Sequence, residues 1–418
     1  PSSGQSACTS CTAGRFANDT GLQTCLPCQP GSVQPLHGRS SCELCLVGQY
    51  IGVSAQAVCL LCPAGSATSK NGTISCSGCL SGHYQSLPGQ AHCLPCALGT
   101  YQTTPSQTVC LSCAPGSFGN ATGLSNCFDC AHGKLQSQPA KTSCSLCPLG
   151  TFNSATRQTA CQQCAPGSYS SHNGTVTCTA CSKGSAQGSN GQSACSACAV
   201  GSFAASTGLL SCSPCPPASY TNKTGQSECQ SCVKGYFQSL PGKSSCDACL
   251  VGTYTSSAAS SVCFQCTPGT FNGRNASTSC KDCPTGEFQG QPGQSSCQPC
   301  SKGEFSSFTK QSACKSCAAG SFANVTGSVQ CFACAAGSAQ PSNGQTSCQL
   351  CVAGSAIASS GQRVCLLCAI GTISSKNGST DCTSCGAGSH QNLPGQSSCA
   401  LCPAGTAESQ GGQADCTA

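Results

Sequence analysis

Apolar side chains larger than alanine are sparse in this chain, and the regular ones recur at a single place. Five residues after the second cysteine of a C-x-x-C pair stands an aromatic or smaller apolar residue: Phe16, Tyr50, Tyr84, Tyr101, Phe118, Phe152, Tyr169 and Phe203 among others, with Ala186 and Ala339 in weaker copies. That side chain is the only regular apolar mass available, and it is expected to be buried, with Phe118 and its counterparts filling the loop of each repeat. About eight polar or small residues follow it, rich in Ser, Thr, Gln, Asn and Gly. The pattern predicts turns, solvated loops and short β-hairpins, with almost no helix.

The period is strict. A cysteine stands at 8, 25, 42, 59, 76 and every seventeenth position up to 416, without insertion, and each except the last is followed three residues later by a second. All 49 cysteines are thereby used, as 24 pairs plus Cys416. Gly lies three residues after the second cysteine in 23 of 24 repeats, the exception being Ala218, which points to a backbone position of positive φ or close approach. The predicted organisation is a tail of a preceding repeat at 1–7, twenty-four tandem 17-residue repeats over 8–415, and the start of another at 416–418, so that both ends cut a repeat. Such a unit is too small to fold alone and draws its stability from its neighbours, the logic of an elongated, quasi-one-dimensional array.

A 51-residue period lies over the first. Every third repeat carries glutamine at one place (Gln34, Gln85, Gln136, Gln187, Gln238, Gln289, Gln340 and Gln391), usually before a Pro-Gly or Asn-Gly turn. Another third carries N-x-[S/T], at Asn18, Asn71, Asn120, Asn173, Asn222, Asn275, Asn324 and Asn377, and no other repeat has any. Their place in the repeat alternates, giving two series each spaced by 102 residues. In loops of Ser, Thr and Gly these are candidate N-glycosylation sites if the chain is secreted.

Composition agrees with cross-linking in place of burial. There is no Met or Trp, charged residues make up 7 %, and cysteine reaches 49 of 418 residues. The net charge of +6 includes no basic run that could follow a phosphate backbone, which argues against nucleic acid as a partner. No apolar run of about 18 residues is present, so no direct membrane span is expected.

Three chemistries compete for the cysteines. C-x-x-C, thirteen residues and C-x-x-C again is good zinc spacing, and the pairs would make twelve four-cysteine sites. Scarce charge and systematic N-x-[S/T] sites favour disulfides in an oxidising compartment instead. A thioredoxin-like dithiol needs a βαβ setting that these short repeats lack. No catalytic constellation is suggested: the histidines His37, His83, His92, His132, His172 and His390 share no spacing, and acids such as Asp129, Glu228, Asp282 and Glu287 are scattered. The chain is not expected to be an enzyme. No cofactor or metal is expected, apart from N-linked glycans.

The run Cys113-Ala-Pro-Gly116-Ser-Phe118 through Cys127 resembles the small single-disulfide module of tumour-necrosis-factor-receptor-like cysteine-rich domains. More closely, the tandem C-x-x-C-x-x-G-x-[F/Y] repeats are similar to the ephrin-receptor-like cysteine-rich repeats of large extracellular proteins. The resemblance implies a ladder in which the cysteine before the glycine bonds the next cysteine along: Cys11 with Cys25, Cys28 with Cys42, Cys45 with Cys59, Cys62 with Cys76, Cys113 with Cys127, and so on to Cys402 with Cys416. Cys8 is then left over. A crossed alternative joins Cys8 to Cys25 and Cys11 to Cys28, leaving Cys416. Function is expected to be architectural: an extracellular, N-glycosylated rod forming the shaft of a filament, a mastigoneme-like surface hair or a matrix fibre, with self-association or other filament proteins as partners. Alternatives are the stalk of a receptor or adhesion ectodomain and the zinc array.

Overall fold

The structure is a computed structural model that describes residues 8–417. The expected repeat tail at 1–7 and Ala418 lie outside the described residues. The chain divides into two compact units, one of Pro1–Cys198 with Ala204–Cys212 and one of Ala199–Phe203 with Ser213–Ala418, each built from the same repeat.

One repeat explains the local structure. In Ala114-Pro115-Gly116-Ser117, proline followed by glycine is the signature of a type II turn. Gly116 has φ of 87°, and the turn closes through Ser117 N donating to Ala114 O at 3.0 Å and Ser117 Oγ donating to the same oxygen at 2.7 Å. The turn launches a two-residue strand, Ser117–Phe118, which pairs antiparallel with Phe128–Asp129 in the register Ser117↔Asp129 and Phe118↔Phe128. The disulfide Cys113–Cys127 ties the base of this hairpin at a Cα–Cα distance of 5.7 Å. A strand pair so short is marginal alone, so the disulfide and the turn fix its register. Among the described residues this hairpin occurs 23 times, and in the last repeat a single Ala407↔Thr417 bridge takes its place.

Within each unit, backbone hydrogen bonds join successive repeats in a recurring set. Gly14 N donates to Gln34 O at 2.8 Å, Cys28 N to Gly14 O at 2.9 Å, Ala17 N to Arg39 O at 3.1 Å, and Gly38 N to Cys11 O at 2.9 Å. The next-but-one repeat also touches: a Cβ on Gly14 would lie 2.2 Å from Ala55 O, and one on Gly31 2.2 Å from Gly72 O. Glycine is therefore favoured twice over at such positions, by the left-handed φ and by a carbonyl two repeats on. Ala218 keeps the conformation, with φ of 71°, and keeps both flanking bonds, Ala218 N to Gln238 O at 2.7 Å and Cys232 N to Ala218 O at 2.9 Å.

The core corrects one expectation. The aromatic residues do not fill it: Phe16, Tyr50, Phe118 and Phe152 are only half-buried, and Phe118 meets Phe128 at the surface with ring centroids 5.8 Å apart. The buried column is instead the second cysteine of each pair, 0–1 % exposed from Cys28 to Cys385. Small or polar residues beside it, such as Ala204, Ala323, Thr221 and Thr255, are also buried. Sulfur and small side chains suffice because successive repeats approach to backbone contact, leaving no room for a ring.

Candidate functional site

The cysteines are joined in 24 disulfides, each linking the second cysteine of one repeat to the first of the next. Cys11–Cys25, Cys28–Cys42, Cys45–Cys59, Cys62–Cys76, Cys113–Cys127 and Cys402–Cys416 all take this form, with Cα–Cα distances of 5.7 or 5.8 Å. The crossed pairing does not occur, and Cys8 is a free, exposed thiol. A zinc array needs thiolates, and the disulfides use up the cysteines that its four-cysteine sites would require. One metal-like cluster remains among the described residues: His390, Cys402 and Cys416, with His390 Nδ1 2.9 Å from Cys416 Sγ. Its two sulfurs are bonded to each other, so it offers a single imidazole nitrogen rather than a ligand set.

The period-51 glutamine has a structural task. Gln34 Nε2 donates to Ser41 O at 2.7 Å while its Oε1 accepts from Leu36 N at 2.9 Å, bracing the long arm of the loop from within. Gln85, Gln136, Gln187, Gln238, Gln289, Gln340 and Gln391 make the same two bonds in their own repeats. These satisfied amides are why a glutamine only 2 % exposed, such as Gln34, costs the fold little.

Sequence reasoning missed a second left-handed position, seven residues after the first glycine and present in every repeat. Glycine usually holds it, as at Gly21, Gly38 and Gly72, but Ala55, Ser106, Ala140, Arg157, Ala259, Ala276 and Lys310 occupy it with φ between 55° and 65°. The signal was present as the Pro-Gly and Asn-Gly turns of one repeat class. The non-glycine copies hid its generality.

The eight sequon asparagines, Asn18, Asn71, Asn120, Asn173, Asn222, Asn275, Asn324 and Asn377, are all exposed on this same loop. His83 and His92 line an open groove of about 420 Å³ with Lys70, Thr73 and Leu80. Its cysteines Cys79 and Cys93 are bonded to each other, and its lining holds neither a carboxylate nor a free thiol. Asp129 and Asp282 each face one cation rather than another acid. Among the described residues no helix is long and apolar enough to cross a membrane.

Comparison with known proteins gives one result that fits this geometry. The family model described as tyrosine-protein kinase ephrin type A/B receptor-like matches residues 82–123, 184–228, 219–262 and 371–416. No curated protein matches the chain. Three of the four matched stretches begin on the first left-handed glycine of a repeat, at Gly82, Gly184 and Gly371. The chain is a tandem cysteine-rich repeat protein, and in four places its disulfide-closed repeats are similar to the ephrin type A/B receptor-like module.

Proposed function

We propose that this chain is an architectural part of an extracellular protein: an N-glycosylated shaft of a filament, surface hair or matrix fibre. The observation that carries the reading is the unbroken register within each unit. From repeat to repeat the same backbone bonds recur, and no loop is enlarged to make a recognition surface. A structure selected for one binding epitope tolerates insertions at the epitope; one selected for constant spacing does not. The disulfides require an oxidising compartment, which is also where sequons are used, and the ephrin-receptor-like module is a non-catalytic extracellular type. Exposed leucines such as Leu61, Leu80, Leu367 and Leu401 support self-association or docking to other filament proteins.

Negative-stain imaging of native material tests this directly. Bundled or continuous fibres containing the chain support a shaft. Solitary stalks ending in a head, together with a full-length sequence holding a membrane span and a cytoplasmic domain, would replace it with the stalk of a receptor or adhesion ectodomain.

A further inference from the structure

The fold treats the eight sequons as two different sets. In the first, Asn71, Asn173, Asn275 and Asn377, the sequon hydroxyl belongs to the loop's own bonding. Thr73 Oγ1 donates to Lys70 O at 2.7 Å and lies 2.9 Å from Thr68 Oγ1. Thr175 Oγ1 donates to His172 O at 2.7 Å and accepts from Ser170 Oγ at 2.7 Å. Ser277 Oγ lies 2.9 Å from Arg274 O and 2.7 Å from Asn272 Oδ1, one of which takes its proton, and Ser379 Oγ donates to Lys376 O at 2.8 Å. Two of the asparagines are engaged as well: Asn275 Oδ1 accepts from Val251 N at 3.1 Å and Asn377 Oδ1 from Ala353 N at 2.9 Å.

Both halves of this arrangement occur where no sequon exists. Thr255 Oγ1 and Ser260 Oγ stand 2.6 Å apart in a repeat that reads Ala258-Ala259-Ser260. Asn343 Oδ1 accepts from Ala319 N at 2.9 Å within Asn343-Gly344-Gln345. Loop closure therefore accounts for the first set without any glycan.

The second set has no such account. Asn18, Asn120, Asn222 and Asn324 are exposed, as are their partners Thr20, Thr122, Thr224 and Thr326. Among the described residues, neither these carboxamides nor these hydroxyls make a hydrogen bond.

We propose that the folded chain presents only the second set for N-glycosylation: Asn18, Asn120, Asn222 and Asn324 are its native-state glycan acceptors, one in every six repeats, while the first set are turn residues. This rests on the extracellular, glycosylated reading above. In the transfer, the asparagine Nδ2 attacks the anomeric carbon of a lipid-diphosphate-linked oligosaccharide. An N–C bond forms, the C–O bond to the diphosphate breaks, the diphosphate leaves with the electron pair, and one carboxamide proton passes to a base of the transferase. The enzyme reads the Ser or Thr hydroxyl two residues on, so a hydroxyl bonded into the loop is withheld until the loop opens.

The test uses the full chain made in a host without N-glycosylation and folded oxidatively. It is incubated with an oligosaccharyltransferase and a lipid-diphosphate oligosaccharide, and the sites are mapped by glycopeptide mass spectrometry. The second set should react at least about ten-fold faster than the first, the factor that a modest local opening energy imposes. Reduced and alkylated chain should react at both sets at similar rates. Equal rates in the folded chain, or a faster first set, overturn the proposal. Failure of the reduced, alkylated chain to react at any site overturns the glycosylated reading itself.

Discussion

Arg157 and Asp129 lie 28 residues apart in sequence, yet Arg157 Nε stands 3.9 Å from Asp129 Oδ1, and Lys310 Nζ meets Asp282 Oδ1 in the same way at 3.8 Å. The pairs express a general contact: the second left-handed residue of one repeat lies over the strand residue 28 positions earlier. Leucines pair there with glycines. A Cβ on Gly72 would lie 3.0 Å from Leu44 Cδ2, and one on Gly174 or Gly378 would meet Leu146 or Leu350. Where Ser106 holds the left-handed place, Gly78 stands beneath it; where Ala276 holds it, residue 248 is alanine.

The close approach of Leu44 to Gly72 predicts coupling. Gly72→Ala incurs left-handed strain of about 1–2 kcal/mol and crowds Leu44. Leu44→Ala should relieve the crowding, so the double variant loses about 1 kcal/mol less than the sum of the singles. Hydrogen exchange at the Gly72 amide, which donates to Cys45 O at 2.7 Å, reads the effect. Strict additivity would show that the two side chains do not compete for space.

Replacing Arg157 by glycine should be neutral or slightly stabilising, by at most about 1 kcal/mol. The ion pair is exposed, with side chains 64 % and 52 % accessible, and such pairs contribute about 0–1 kcal/mol, less in salt. Against that stands the strain of an arginine at φ of 61°. Exchange of the residue 157 amide, which donates to Cys130 O at 2.9 Å, gives the sign, and a large loss of protection would show that the pair is structural.

Ala218→Gly should stabilise its repeat by about 1 kcal/mol, since it removes the only non-glycine from the first left-handed position. Gly235→Ala should do the reverse, costing about 2–5 kcal/mol, because its Cβ would lie 2.2 Å from Ala276 O and backbone must move. Protection of the Cys232 and Cys249 amides, bonded to residues 218 and 235, separates the two outcomes.

For the glutamine brace, Gln34→Met should cost about 1–3 kcal/mol by stranding Leu36 N and Ser41 O. Gln34→Glu keeps the acceptor but loses the donor. Leu36 amide exchange should therefore accelerate much more in the Met variant than in the Glu variant.

Removing one closure, as in the double substitution Cys62→Ser with Cys76→Ser, should destabilise that repeat by about 3 kcal/mol, the value for a loop of about 15 residues. In a one-dimensional array the damage stays with adjoining repeats. Limited proteolysis should cut near residues 62–76 and leave distant repeats intact; cleavage throughout the chain would show long-range cooperativity instead.

The sequence by itself determined the 17-residue period, the short hairpins, the lack of helix among the described residues and the first left-handed glycine, because each depends on residues only a few positions apart. A Pro-Gly turn and a cysteine on each side of a loop are local facts, visible in any one repeat. Tertiary structure decided what lies across repeats. The column of buried sulfur displaced the aromatic core that Phe118 and its counterparts suggested, because successive backbones approach too closely for rings. Gly14 is needed for a carbonyl at Ala55, and no pattern within one repeat carries that distance. Sequence placed Asn71 and Asn120 in two alternating series but gave no chemical difference between them; the fold shows Thr73 bonded into its loop while Thr122 stands exposed.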